Sequence, residues 1–151
     1  MLPTVFVQCD GEESMGSTSK SNPDQVKVIQ RVMTLLQQPS STQGENYLTV
    51  TVLSPYAKQI ALLKNQIRPP IPCYTIDSFQ GRESDIIVFS TVRCNATGDI
   101  GFVEDSRRLN VMWTRAKLGL IIVGDRRTMT ATSELWKKAI EACTEVALLE
   151  D

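Results

Sequence analysis

Short apolar runs alternate along the chain with polar stretches punctuated by Gly and Pro, and the spacing within the runs switches between a period of two and a period near 3.6. Val5, Phe6 and Val7 predict a short strand, followed by a polar loop over residues 10–21 containing Gly11 and Gly16. Asn22, Pro23 and Gln25 then read as N-cap, first helical residue and capping-box partner. The helix behind them places Val26, Ile29, Met33 and Leu36 on one face and ends by Pro39, and residues 40–46 form a polar connector. Residues 48–53 predict a strand with β-branched alternation, after which Ser54 and Pro55 again combine a capping residue with proline. Ala57, Ile60, Leu63 and Ile67 mark the next helix, which Pro69 and Pro70 stop. Two strands, 73–76 and 86–89, bracket a turn dense in polar groups, D-S-F-Q-G-R-E at 77–83. Residues 95–106 form a loop whose Ile100, Phe102 and Val103 fold it back onto the body, and Ser106 caps a helix through R-R-L-N-V-M-W-T-R-A. A buried strand at 120–123 ends in Gly124 and Asp125, and a last helix, about 133–146, carries Trp136, Ile140 and Cys143 on one face.

Strands alternating with helices predict an α/β fold of three layers, α/β/α, with a mainly parallel sheet. Ligands of such sheets collect at the carboxyl ends of the strands. On this reading residues 54–56, 77–83, 91–93 and 124–125 converge on one edge.

Composition narrows the chemistry. The chain has 151 residues, the size of one domain (1–151), with 42% hydrophobic and 22% charged residues. No apolar run approaches a membrane span and the start has no signal-peptide pattern, so no membrane partner is expected. There is no histidine, which removes His-based acid–base catalysis, and the four scattered cysteines contain no C-x-x-C pair. Buried free thiols and no metal site are therefore expected. The N-A-T at residues 95–97 fits a glycosylation pattern but carries no weight without secretion. With a net charge of −1 the chain lacks the excess of Lys and Arg by which a nucleic-acid binder usually shows itself, so any such binding is local, through backbone amides and a few placed cations.

No G-x-x-x-x-G-K-[ST] phosphate loop occurs. Asp125 follows an apolar strand as a metal-binding carboxylate would, yet with Gly124 before it and no phosphate loop it reads as a turn or helix cap. Asp77 and Asp85 read as turn-capping groups, whereas Glu83 lies just past Gly81, where a backbone approaches a ligand closely, and suits ribose hydroxyls. Arg107, Arg108, Arg115 and Lys117 form the main basic cluster, with Arg108 and Arg115 two helical turns apart.

These residues carry a resemblance. F-Q-G-R-E-S-D-I-I-V-F-S-T-V-R together with G-F-V-E-D-S-R-R-L-N-V-M-W-T-R-A-K resembles motifs V and VI of superfamily 1B helicases, in the branch of the nonsense-mediated-decay helicase and senataxin. L-S-P-Y-A-K-Q resembles that branch's motif IV region, and S-K-S-N-P-D-Q its S-x-x-N-x-x-E element. The resemblance implies a second RecA-like domain that closes over ATP and Mg²⁺ held mainly by a first RecA-like domain. It implies that Arg115 is the arginine finger, that Glu83 contacts ribose, and that Gln80 and Gly81 lie beside the phosphates. It further implies that Ser54, Pro55, Tyr56, Thr75 and Ser78 lie near the backbone of single-stranded RNA or DNA.

The chain departs from the family pattern at Met112 and Trp113, where small or aliphatic residues are usual, and at Gln25, where Glu is usual. The expected whole is an excised or truncated second motor domain, intracellular, inactive toward ATP by itself because the phosphate loop and the Mg²⁺-binding acid belong to the first domain. A non-catalytic binding module derived from a helicase half is the alternative reading, and a small-molecule-binding α/β domain a third. RNA and DNA, and cytoplasm and nucleus, stay open as alternatives.

Overall fold

The computed structural model describes residues 2–14, 19–36 and 48–148. Six strands form one sheet in the order β3-β2-β4-β5-β1-β6, and every pair is parallel. They are β1 (Thr4–Gln8), β2 (Val50–Ser54), β3 (Cys73–Thr75), β4 (Ser84–Ser90), β5 (Ala116–Gly124) and β6 (Thr144–Val146). The α/β/α fold and RecA-like layering expected from the sequence are what the chain adopts.

Each central strand is apolar on both sides, as a parallel sheet covered on both faces requires. Phe6, Leu53, Ile87, Phe89, Leu120 and Ile122 enter one core, with Leu109 and Met112 of α3 (Ser106–Arg115) and Trp136 and Ile140 of α5 (Glu134–Glu141). The alternate positions Val7, Val52, Val88 and Val123 enter the other, with Ile29 and Met33 of α1 (Pro23–Leu36) and Ile60 and Leu63 of α2 (Ala57–Gln66). Period-two alternation thus sorts neighbouring residues into two separate cores.

Several sequence expectations need correction. Asn22 caps α1 by accepting from the Gln25 amide (3.1 Å), but the Gln25 side chain does not close a capping box. Gln59 Oε1 accepts the Asn22 amide instead (2.8 Å), from 37 residues away. Leu36 and Leu48 are exposed, not core. Ser54 ends β2 and does not cap α2, which starts at Ala57 with Tyr56 as N-cap. Ala57 itself is exposed, and its expected place on the buried face belongs to Gln59. Asp105, not Ser106, caps α3. β5 is nine residues long and begins directly where α3 ends, with no loop between them. The last helix stops at Glu141, and α4 (Arg126–Thr130) and β6 were not foreseen. Pro39 and the connector at 40–46 lie outside the described residues, as does Gly16.

Asp125 is the N-cap of α4, accepting from the amide and hydroxyl of Thr128 (3.2 and 2.7 Å) and from Gln8 Nε2 (2.8 Å). Burial pushes its carboxyl upward, but these hydrogen bonds outweigh it and hold the group below the ordinary Asp value. All four cysteines are free, and Cys9, Cys73 and Cys94 are buried.

Candidate functional site

The turn at 77–83 is built from local chemistry. Asp77–Phe79 forms one 3-10 turn, braced by Thr75 just before it: Ser78 N donates to Thr75 Oγ1 at 3.3 Å, and the two hydroxyls lie 2.9 Å apart. Phe79 is buried and accepts from the Arg82 amide (3.1 Å). With Gln80 at φ −55°, ψ 135° and Gly81 at φ 79°, residues 79–82 make a type II turn, which needs a residue without Cβ penalty at its third position. A Cβ at Gly81 would meet no atom within 4 Å, so this side of the turn is open.

The turn does not stay on the edge where the sequence put it. Ile76 N donates to Ser54 O (3.1 Å), which fixes its start at the carboxyl ends of β2 and β3. Eight residues after Ile76, Ser84 opens β4, and because β4 is parallel to β2 this point lies at the opposite, amino edge. Register pairs Ser84 with Ala116. Glu83 and Arg115 therefore precede partner residues on neighbouring strands, which lie about 4.8 Å apart. The expected convergence on one edge is replaced by two clusters. Glu83 and Arg115 both stand at the amino edge, each just before its strand, with the Gln80–Gly81 turn leading into it. Ser54, Pro55, Tyr56, Thr75, Arg93 and Asp125 lie toward the carboxyl edge.

Arg115 is half-buried at the rigid junction of α3 and β5, and its Nε is buried with no hydrogen-bond partner among the described residues. A buried guanidinium nitrogen without an acceptor costs about 1–3 kcal/mol, more when charged. The Trp113 ring packs 5.8 Å from that of fully buried Trp136. Arg108, expected on the same face as Arg115, is tied at the other end of α3 by Asp77 (3.1 Å) and Asp105 (3.9 Å).

At the carboxyl edge the side chains face inward. Ser54 is fully buried, its Oγ accepting from the Tyr56 amide (3.4 Å), and Tyr56 is 3% exposed. The Tyr56 hydroxyl accepts from Arg93 Nη1 (3.2 Å). Arg93 also meets Glu13 (3.0 Å) and Asp99 (3.2 Å), and a Cβ at Gly101 (φ +50°) would come within 2.4 Å of its guanidinium. Burial works to lower the Arg93 pKa, but the bonds to Tyr56 and Glu13 outweigh it and hold the group above its ordinary value. Of the five residues expected near nucleic acid, Pro55 and Thr75 are half-exposed and Ser78 exposed, while Ser54 and Tyr56 are interior supports.

Sequence reasoning missed the amide network behind this edge. Gln25 Oε1 accepts from Ser90 Oγ (2.7 Å) and the Val92 amide (2.8 Å), and Gln59 Nε2 donates to Ser90 Oγ (3.0 Å). Val92, at φ 66°, is held in a conformation a β-branched residue seldom adopts. The available signal was two glutamines on helix faces otherwise filled by apolar side chains. A cleft of about 730 Å³ lies beyond β1 and β5, lined in part by Asp10, Asn95, Asp125 and Arg127, and is separate from the Glu83–Arg115 pair. No cluster of three or more His, Cys, Asp or Glu suited to a metal ion occurs among the described residues.

Residues 1–127 match the family described as the AAA domain. The chain is 33% identical over 150 residues to "Regulator of nonsense transcripts 1" of Dictyostelium discoideum, covering 91% of the chain and 11% of that protein. It is 33% identical over 127 residues to "DNA-binding protein SMUBP-2" of Mesocricetus auratus, covering 82% of the chain and 12% of the relative. It is 31% identical over 159 aligned positions to "DNA polymerase alpha-associated DNA helicase A" of Saccharomyces cerevisiae, covering 97% and 23%. The chain belongs to this AAA-domain family of superfamily 1 helicases. As a helicase-family domain it spans less than a quarter of the length of each of these relatives. Among its described residues no helix is long and apolar enough to cross a membrane.

Proposed function

We propose that this helicase-family chain is the second motor domain of an intracellular ATP-dependent helicase and supplies the arginine finger from Arg115. The observation that carries the reading is the buried Nε of Arg115, without an acceptor among the described residues, at a helix–strand junction level with Glu83 on the neighbouring strand. A guanidinium held on rigid backbone and short of an acceptor is poised for the charge that develops on a transferred phosphoryl group. Glu83 accepts from the ribose hydroxyls of ATP, and the open side of Gly81, next to Gln80, lets the backbone approach the phosphates. The first RecA-like domain holds ATP and Mg²⁺, so domain closure brings finger and phosphate together. At the other edge Thr75, Ser78 and Pro55 meet the backbone of single-stranded RNA or DNA without reading sequence, while Ser54 and Tyr56 hold that surface from behind.

The test is kinetic. In the intact helicase Arg115→Ala lowers ATP turnover by about 10³-fold while nucleotide affinity stays within a few-fold. Unchanged turnover removes Arg115 from the finger role. The 151-residue chain alone has no Mg²⁺-dependent ATPase, and substantial activity from it defeats the reading.

A further inference from the structure

We propose that Tyr74 and Arg82 are positioning residues, a strap that holds the Gln80–Gly81 turn against the end of β3 and thereby aims Glu83. β3 is an edge strand of three residues, and Tyr74, its middle residue, is half-buried. The Tyr74 ring packs on buried Phe79, with centroids 5.6 Å apart. The Arg82 guanidinium lies over the Tyr74 ring, 4.8 Å from its centroid, and its Nη1 donates to the Tyr74 hydroxyl at 3.2 Å. An exposed arginine otherwise samples many rotamers, so a ring contact and a hydrogen bond to one tyrosine single out one of them.

The consequence falls on Glu83. Its C-terminal neighbour Ser84 is 2% exposed and fixed in the sheet, its Oγ donating to Thr49 O (3.1 Å). Among the described residues, its N-terminal neighbour Arg82 is fixed through the turn bond to Phe79 and the strap to Tyr74. With both neighbours held, the Glu83 backbone has one direction. With the strap cut, the exposed turn pivots on Gly81, whose positive φ is open to glycine alone at no cost. Arg115 stands on a different element and keeps its place.

This inference rests on the ribose-contacting role given above to Glu83, and the experiment separates the two. ATPase kinetics of the intact helicase are measured for wild type, Tyr74→Ala, Tyr74→Phe, Arg82→Ala and Tyr74→Ala/Arg82→Ala. Both alanine variants raise KM for ATP about three- to fivefold with kcat within about twofold, because ground-state positioning is lost and the finger is not. Tyr74→Phe keeps the ring and stays within about twofold of wild type. The double variant is no worse than the worse single, since the two side chains form one contact. Arg82 is exposed, so Arg82→Ala reads the strap without disturbing the core. Wild-type ATPase with unaltered KM in Arg82→Ala, or additive effects in the double variant, overturns the strap alone. A wild-type protein that neither binds nor hydrolyses ATP overturns the strap and the function it rests on together.

Discussion

Replacing Gln25 tests whether the buried amide network, and not apolar packing alone, holds the carboxyl edge. The side chain is fully buried, and its Oε1 accepts from Ser90 Oγ at 2.7 Å and from the Val92 amide at 2.8 Å, while Nε2 donates to Thr91 Oγ1 at 3.3 Å. In Gln25→Ala the Val92 amide loses its acceptor inside the protein, a cost of about 1–3 kcal/mol. Ser90 keeps the bond from Gln59 but loses the acceptor for its own hydroxyl, adding about 1 kcal/mol. The space left by the amide adds a cavity cost of about 1 kcal/mol. Val92 at φ 66° stores strain, and its partial relaxation returns part of the loss. The expected destabilisation is about 3 kcal/mol, which for a domain of this size lowers the melting temperature by about 6–12 °C. Denaturant and thermal unfolding of the chain measure it. Gln25→Leu fills the volume without the bonds and should be about as damaging as Gln25→Ala, whereas Gln25→Glu keeps both acceptor bonds and should lie between them and wild type. A loss below about 1 kcal/mol in Gln25→Ala, or full recovery in Gln25→Leu, refutes the hydrogen-bond argument.

Two further outcomes follow from groups away from the Glu83–Arg115 pair. Asp125 has its folded pKa lowered, so its contribution to stability is present above the ordinary value of 3.8 and is lost as the pH falls through and below it. The stability gap between wild type and Asp125→Asn, measured by denaturant unfolding, therefore shrinks from pH 6 to pH 3 (about the span of the titration), and a gap that widens contradicts the sign. Burial pushes the thiols of Cys73 and Cys94 up to about 11 and about 12, so alkylation of the folded chain near neutral pH should reach half-buried Cys143 first. Peptide mapping that finds Cys94 labelled as fast as Cys143 counts against that burial.

Much of the helicase architecture was legible because it is written in short-range periods. The short apolar run Val5, Phe6 and Val7, and that at 86–89, announced strands, and Asn22 with Pro23 announced a helix start that the Asn22–Gln25 bond confirms. Asp125 was correctly read as a cap, since N-capping is a local bond between residues three apart. The last helix was drawn too long because Ala142 to Val146 continues an apolar pattern that parallel pairing with β1 claims instead.

What the sequence determined by itself is therefore most of the elements, though not α4 or β6, and the mainly parallel α/β class. Only the tertiary structure decided which of them meet. Gln25 was assigned a bond three residues away and makes its decisive ones to Ser90 and Val92, because a buried amide pairs with whatever backbone the fold leaves unsatisfied. Gln80 to Glu83 looked like part of the carboxyl edge, yet the parallel register of β4 with β2 carries Glu83 to the amino edge, beside Arg115. Local periodicity carries no information about such a crossing, because strand direction and register are set by pairing between residues far apart in the chain.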